Sequence, residues 1–346
     1  MKRKPIFQSV DLFSEQKLIS EISRMPLAEL KLKDAIPWES FRETLSTIRG
    51  DYSKGGRPPY DEVFMFKCLI LQTLYNLSDE SLEMEIRNRN SFRIFLGMSL
   101  ASDAPDRNTI WSFREKLSAL DLLQPLFERF HAYLSEQGLL LNNGHITDST
   151  FVETPRQRND PDENRGVRSG QSRDEVFPDR SPQSKSHKDV DARWTRKGGE
   201  RHFGYKDHVT VDRDSKLITQ YAVTSANIHD GIVYLSLLPD RAEGKQYVYA
   251  DSAYGSQFNL DQLMDRGFIP EINEKGCRFR KLTESQRLEN NRKSRIRARV
   301  EHVFAEIKRR MKGGMIHTIG LARAKTKIGL MNLTYNLRRY VTLTER

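Results

Sequence analysis

The hydrophobic residues change their spacing near Gly144, and this change constrains the fold more than any other feature of the sequence. From residue 59 to about residue 138 apolar side chains recur every three or four positions, as at Val63, Phe66 and Ile70, which predicts helices. After Gly144 the stretch HFGYKDHVTVDRDSKLITQYAVTSA alternates apolar and polar residues, a pattern typical of strands. We therefore predict a helical N-terminal domain followed by a sheet-containing domain.

Three further stretches complete the sheet-containing domain. GHITDSTFVET, QYVYADSAYG and FIPEIN are predicted to be strands, with a helix over NLDQLMDRG and helical periodicity from about Ser285 onward. The turn residues DRDS between two alternating segments predict a hairpin. Strand, hairpin, strand, helix, strand and helix together indicate an α+β or α/β fold built on a mixed sheet.

A long polar segment interrupts this domain between its first and second predicted strands. Residues 154–200 are rich in Arg, Asp, Ser, Pro and Gly, and so few of them are apolar that the segment is not expected to pack a core of its own. We interpret it as an insertion that is mobile without a ligand and becomes ordered on nucleic acid; the alternative is a solvated linker. The predicted organisation is an arm (residues 1–50), a helical domain (51–139) and the mixed-sheet domain (140–346).

Charge and cysteine usage limit the possible partners and compartments. Within residues 277–312 thirteen Lys and Arg residues face four glutamates, an excess of nine in a chain whose formal net charge is +10, which predicts attraction to a polyanion. The two cysteines form no CxxC pair, so a disulfide framework or a zinc site is not expected. The chain shows neither a signal-peptide pattern nor a membrane-length apolar run, and we expect an intracellular, soluble protein.

Two aspartates lie on predicted strands. Asp148 falls inside the first strand, and Asp251 ends another strand just before the turn SAYG. A sheet holds such carboxylates rigidly while the adjoining loops leave room for a ligand, which suits catalysis. Each aspartate taken alone could equally be a turn or cap residue.

Glu301 lies in the basic helix predicted over RIRARVEHVFAEIKRR. At about 100° per residue, Arg297, Glu301 and Lys308 cluster beside the apolar stripe, so Glu301 is expected to border the core. Arg299 and Arg309 fall on the side that faces solvent. The simpler interpretation of Glu301 is an ion pair within the helix with Arg297, four residues earlier.

A chemical interpretation connects these three carboxylates. Two Asp from a sheet and one Glu from a helix can hold two Mg²⁺ ions about 3.5–4 Å apart, which clamp the attacking and leaving oxygens of a phosphodiester displacement. Without cations the three carboxylates would repel one another and tend to bind protons. Arg297 and Lys308 would then flank the site and hold phosphate oxygens.

The motifs TDST, YADSAYG and RARVEHVFAEIK resemble the three catalytic motifs of bacterial insertion-sequence transposases of the insertion-sequence-5 family, which are DDE enzymes with a ribonuclease H-like core. Arg297, Glu301 and Lys308 reproduce the R(3)E(6)K part of the last motif, whereas the usual Tyr three residues before the Arg is Ser294 here. GRPPYDEVFMFKCLILQTLYNLSDESLE resembles the helical N-terminal region of these transposases. The resemblance covers about residues 56–339.

This resemblance implies a function and a site. Asp148, Asp251 and Glu301 would be the catalytic triad and the metal ligands, with two Mg²⁺ ions per active site and Mn²⁺ as a substitute. The protein would cleave DNA at the ends of its element and transfer the 3′-OH into target DNA, in the bacterial cytoplasm at the nucleoid. Its partners would be double-stranded DNA, both terminal inverted repeats and target, and a second copy when assembled on the ends. The alternatives are a transposase-derived DNA-binding protein without cleavage activity and a stand-alone metal-dependent nuclease.

Further residues are candidates for DNA contact, each with a simpler alternative. On the basic helix and beside the sheet, the candidates are Arg297, Arg299, Lys308, Arg309, Lys206 and Trp194. Trp194 could instead pack on the sheet edge, and Lys206 could be an ordinary exposed residue beside the sheet. His229 and Asp230 in NIHDG would lie near the active site by resemblance, although Asp230 or Asn227 could simply cap a helix. Lys54 and Arg57 could touch a phosphate.

Overall fold

The computed structural model describes residues 14–49, 58–100, 102–241, 244–277 and 281–345. The chain divides into two compact units, Met1–Arg114 and Glu115–Arg346. This boundary lies within a helix, 25 residues before the position 139 predicted from the sequence. The suggested phosphate contacts Lys54 and Arg57 lie outside the described residues.

The first unit is helical throughout its described part. Its helices are α1 (Ser14–Ser23), α2 (Ala28–Ala35), α3 (Arg42–Ser46), α4 (Glu62–Tyr75), α5 (Asp79–Asn88), α6 (Asn90–Leu96) and the start of α7 (Arg107–Ala119). A 3₁₀ turn at Trp38–Phe41 lies between α2 and α3. Residues 14–49, predicted as part of an arm, are therefore helical, and α2 packs against α6. Short helices with few apolar residues carry a weak periodic signal, which is why the sequence pattern missed them.

Helix α4 is the centre of this unit. Asp61 caps its start by accepting a hydrogen bond from the Phe64 N–H, and Asn76 ends it in the left-handed conformation. Most of the helix is buried, which explains the nearly continuous apolar stretch VFMFKCLILQTLY. Lys67 interrupts that stretch, and its ammonium lies 5.4 Å from the centre of the Trp38 ring, where a cation–π contact compensates for partial burial.

The second unit is built on a six-stranded mixed sheet. Its strands are β1 (Gly144–Glu153), β2 (Arg193–Lys197), β3 (Glu200–Asp212), β4 (Ile218–Ser225), β5 (Tyr247–Ala250) and β6 (Ile269–Ile272). Their order is β2-β3-β1-β5-β6, with β4 also paired to β3. The pairs of β3 with β1, β2 and β4 are antiparallel, whereas β1–β5 and β5–β6 are parallel. The predicted mixed sheet and the hairpin at DRDS are confirmed.

The polar insertion folds, contrary to the prediction. It contains α9 (Pro161–Ser169), α10 (Arg173–Val176), α11 (Pro182–Ser186) and the strand β2. Val167, Val176 and Phe177 form a small buried cluster with Val190 against it. The prediction was wrong because these helices depend on side-chain caps, with a full capping box at α9 and another at α10, more than on apolar periodicity.

The remaining helices cover the sheet: α8 (Leu123–Glu136), α12 (Asp230–Val233), α13 (Gln257–Asp265), α14 (Glu284–Arg310) and α15 (Leu321–Thr344). Helix α14 packs on β1 and β5, and α15 packs on β4 and α8. The segment after α14 extends the sheet at Glu153, whose N–H donates to the Gly314 carbonyl while its own carbonyl accepts from Ile316. Within the described ranges, none of the helices has the length and apolar character needed to cross a membrane.

Candidate active site

Asp148 lies in the middle of β1 with its side chain largely buried. One carboxylate oxygen accepts a hydrogen bond from Arg297 Nη1 at 2.6 Å, and the other accepts from the Ser149 N–H at 2.8 Å. Burial raises the pKa of the Asp148 carboxyl, the Arg297 guanidinium opposes that shift, and the Asp251 carboxylate adds to it. Asp148 is therefore a carboxylate that needs a nearby positive charge in order to stay ionised.

Asp251 follows β5 and opens a 3₁₀ turn, in which its side chain accepts a hydrogen bond from the Ala253 N–H at 2.8 Å. The parallel register pairs Ile146 of β1 with Tyr249 of β5, and each aspartate lies two residues further along its own strand. Neighbouring strands are about 4.8 Å apart, so this register brings the two aspartates side by side at the carboxyl end of β5. The effect of Asp251 on the pKa of Asp148 agrees with that placement.

Glu301 does not join this pair in the structure. It lies one helical turn after Arg297 on α14, and its side chain is exposed, although the sequence pattern predicted a position at the border of the core. The suggested ion pair with Arg297 is absent, since that guanidinium binds Asp148 instead. Among the described residues, no three of His, Cys, Asp and Glu come close enough together to hold a metal ion. The predicted convergence of all three carboxylates is therefore not observed.

The chemistry of the donor set nevertheless suits a divalent cation. Carboxylate oxygens are the hard ligands that Mg²⁺ prefers, and Asp148 and Asp251 offer them from neighbouring strands. In this arrangement the positive charge that balances the Asp148 carboxylate is the Arg297 guanidinium. The pair of aspartates thus has the electrostatic character of a cation site, with a guanidinium in contact with one of its two members.

A second buried charge cluster lies on the same sheet. Lys206 of β3 donates hydrogen bonds to the Ile228 carbonyl at 2.7 Å and to Asp230 Oδ1 at 2.8 Å, and both charged side chains are buried. In the structure the Lys206 ammonium thus binds partners inside the domain, whereas the sequence had suggested a DNA contact for it. Burial tends to raise the pKa of Asp230, but the hydrogen bond and charge of Lys206 hold it below its usual value.

For Asp230 the sequence left two alternatives, a position near the active site or a helix cap. The cap of α12 is His229, which accepts a hydrogen bond from the Gly231 N–H, so the capping role suggested for Asp230 or Asn227 is wrong. Burial raises the pKa of the Tyr254 hydroxyl, and the charges of Asp148, Asp230 and Asp251 all raise it further. Asp230 therefore lies close to the aspartate pair, and the motif NIHDG was the signal for it.

The other candidate DNA contacts occupy different environments. Lys308 and Arg309 are exposed on α14, whereas Arg299 donates to the Arg213 carbonyl at 2.7 Å and to Asp214 at 3.1 Å. Trp194 is 45% exposed, although its ring also packs against Phe203 with 5.1 Å between ring centres.

Two further basic residues, which the sequence pattern did not indicate, lie beside Trp194 and beside the aspartates. The Arg156 guanidinium lies 5.4 Å from the centre of the Trp194 ring. Lys197 carries a charge that lowers the pKa of both Asp148 and Asp230.

Neighbouring aspartates, one inside β1 and one directly after β5, with a strongly basic helix packed beside them, are an arrangement suited to an enzyme that acts on a phosphate-containing polyanion. Residues 142–337 match the family model described as "Transposase DDE domain". Because this match spans more than half of the chain, the protein belongs to the transposase DDE domain family, and it is an enzyme with a transposase function. Residues 16–116 match a second model, described as "Transposase domain (DUF772)".

One solved structure is also similar to the chain. The cryo-EM structure of a piggyBac transposase synaptic complex with hairpin DNA matches 93% of this chain and 76% of that chain. The sequence identity is 11% and the TM-score is 0.44.

Proposed function

We propose that this transposase cuts DNA at the two ends of a mobile element and joins each freed 3′-OH to target DNA, in the manner of the insertion-sequence-5 family with a ribonuclease H-like core. The observation that carries the proposal is the register of β1 and β5, which sets Asp148 and Asp251 side by side next to Arg297. Both steps are in-line attacks at phosphorus, so one acidic centre can serve both.

Asp148, Asp251 and Glu301 would hold two Mg²⁺ ions, for which Mn²⁺ would substitute. Bound cations of this kind supply an activated attacking oxygen and a stabilised leaving oxygen. Asp148 and Asp251 are positioned by the sheet, whereas Glu301 projects from α14 into solvent. The proposal therefore requires Glu301 to approach the aspartates when DNA is present. Arg297 and Lys308 would then bind phosphate oxygens on the flank of the site.

The substrate that fits the remaining features is double-stranded DNA. Nine of the thirteen basic residues of the segment 277–312 lie on α14, which packs on β1 and β5, the strands that position the aspartate pair. Residues 51–139 would supply the module that recognises the terminal inverted repeats. Two ends need two active sites, so the working assembly would be a homodimer on DNA, acting at the nucleoid of a bacterial cell.

A nicking assay tests the assignment of the three carboxylates. The substrate is labelled duplex DNA from the flanks of the reading frame, carrying candidate terminal inverted repeats, with Mg²⁺ present. Asp148→Asn, Asp251→Asn and Glu301→Gln should each lose detectable cleavage while keeping end binding measured by gel shift. Asp261→Asn on α13 and Glu284→Gln on α14 are matched controls, because both residues are exposed and lie away from the aspartate pair.

Two outcomes would contradict the assignment. Wild-type cleavage by Asp251→Asn would exclude the aspartate pair as the reaction centre. Full cleavage by Glu301→Gln, with loss in the two aspartate variants, would leave the pair in place and remove Glu301 from the site. Products with new strand junctions separate transposition from simple nuclease activity.

A further inference from the structure

The tip of the β2–β3 hairpin brings two arginines directly opposite each other. The antiparallel register pairs Arg196 with Arg201, next to the pair Lys197 and Glu200 that closes the turn. Both arginines are exposed, and neither guanidinium forms an ion pair or a hydrogen bond with any residue in the described part of the chain. Like charges directly across an antiparallel pair destabilise it. The hairpin thus keeps an unfavourable pair that has no counter-charge within the described residues.

The same face of the hairpin carries an exposed aromatic ring. Because side chains alternate along a strand, Trp194 lies on the same face as Arg196, and its register partner Phe203 lies on the same face as Arg201. Arg156 places its guanidinium over the Trp194 ring, 5.4 Å from the ring centre. Phe203 is buried and packs against the Trp194 ring, and we call the four exposed residues Arg156, Trp194, Arg196 and Arg201 the hairpin face. It combines three arginines with an aromatic platform, which is a composition suited to a nucleic-acid strand.

A bend in β3 brings the hairpin over Phe151, three residues after Asp148 on β1. Lys197 is the register partner of Glu200, while Phe151 is the partner of Lys206, six residues further along β3, or roughly 20 Å in a straight strand. The Lys197 ammonium nevertheless lies 5.9 Å from the centre of the Phe151 ring. The lysine and phenylalanine side chains span only part of that distance, so β3 is bent between the two pairs.

Gly204 supplies that bend. Its φ of +145° is one that other residues rarely adopt, and an added Cβ would lie 2.5 Å from the Val152 carbonyl oxygen. Just before it, the His202 ring stacks on Phe151, with 4.2 Å between the ring centres. The hairpin is therefore held over the end of β1.

We propose that the hairpin face is a binding site for the phosphodiester backbone of DNA that flanks the cleavage point, with Arg196 and Arg201 sharing phosphate oxygens and Trp194 supporting a sugar or base. Guanidinium groups bind phosphate through paired hydrogen bonds, and a phosphate between the two arginines would turn their repulsion into attraction. The inference rests on the proposed function, since it takes its DNA from the reaction at Asp148 and Asp251.

The test measures DNA affinity by fluorescence anisotropy over a range of salt concentrations. The ligand is a labelled duplex carrying an element end, and Ca²⁺ replaces Mg²⁺ to prevent cutting. The double variant Arg196→Gln/Arg201→Gln should bind more weakly, and the slope of log Kd against log salt should fall by about 0.9, the value for the one phosphate that the two arginines share. Trp194→Leu should weaken binding without changing the slope, because the ring that it removes is uncharged.

The control is Arg165→Gln/Arg168→Gln on α9, which removes the same formal charge from exposed positions of the insertion, one of them already paired with Asp162. It should leave the slope unchanged. The hairpin variant without DNA should melt at the same temperature as the wild type or higher, because the substitution removes only a repulsion. A lower melting temperature would indicate a structural role for the arginines and overturn the proposal.

The remaining outcomes separate this inference from the proposed function. If the wild type binds and cuts the duplex while the hairpin variant keeps the full salt slope, the hairpin site is refuted and the transposase function stands. If polyglutamate competes as well as DNA of equal charge, the face is a general acidic-partner surface and the inference also fails. If the wild type binds no DNA at all, both proposals fall.

Discussion

Asp207 provides the sharpest test of the electrostatics of the second unit. Its carboxyl group is fully buried on β3, where it accepts a hydrogen bond from Asn332 Nδ2 of α15 at 2.9 Å. Burial raises its pKa from 3.8 to about 7, although the Asn332 hydrogen bond and the Lys308 charge oppose the shift. Because the folded protein holds this proton more tightly than the unfolded chain, stability falls as pH rises from about 4 to about 7 and then levels off.

The magnitude follows from the size of this shift. At roughly 1.4 kcal/mol for each pH unit, a change of about three units costs the folded state about 4 kcal/mol above pH 7. Asp207→Asn keeps the shape and removes the charge. Its amide can also donate to Asn332 Oδ1, which is buried and has no hydrogen-bond partner among the described residues. We expect the variant to be more stable than the wild type by about 4 kcal/mol at pH 8, and by less than half of that at pH 5.

Urea denaturation followed by far-ultraviolet circular dichroism at pH 5 and pH 8 measures both values. Asp265→Asn, at an exposed position on α13, is the control and should leave stability nearly unchanged at both pH values. Equal differences between variant and wild type at the two pH values would refute the argument. A variant less stable than the wild type at pH 8 would show that the ionised carboxylate is stabilised in the core.

Three further predictions follow from single interactions. Arg297→Met should destabilise the protein by about 3 kcal/mol in urea denaturation, because it leaves the Asp148 carboxylate buried without a cation. Adding Asp148→Asn should restore most of the stability. Additive effects of the two substitutions would contradict this coupling. Thr283→Ala should lower the free energy of unfolding by about 1 kcal/mol by removing the capping box of α14, and an unchanged melting curve would show that the cap is dispensable. Burial raises the pKa of the Cys68 thiol, so a thiol reagent should modify only Cys277 quickly in the native protein, and fast reaction of both would contradict the burial of α4.

Hydrophobic periodicity in the sequence was sufficient to predict the long helices and strands, but it did not reveal the short ones. Helix α4 and the hairpin β3–β4 carry enough apolar residues at regular spacing to be recognised without a structure. The helices of residues 14–49 and of the insertion are short, and those of the insertion are stabilised by polar caps and a few buried contacts. The spacing of apolar residues does not reveal helices that are stabilised mainly by polar caps. The same limitation hid β2, whose exposed residues resemble a linker.

The sequence predicted which residues belong to the candidate site, but it did not predict how those residues are arranged in space. Asp148 and Asp251 could each be placed on a strand, yet their adjacency depends on the parallel register of β1 and β5, which is a tertiary property. Alternation along β3 left open whether Lys206 faced solvent or the interior, and only the fold shows that Asp230 neutralises it there. Helix geometry placed Glu301 and Arg297 on one face and could not decide which of them would reach Asp148.

The hydrogen bonds between Glu153 and the segment after α14 act as a pivot for that helix. Because Gly314 and Ile316 are fixed to the end of β1, the C-terminal end of α14 is tethered, and its displacement must grow with distance from this anchor. Glu301 and Arg297 lie on the same side of this anchor, so a tilt of the whole helix would carry both side chains in the same direction. The exchange of Arg297 for Glu301 beside Asp148 therefore requires a rotation of α14 about its own axis, which the fixed segment after the helix resists at one end only.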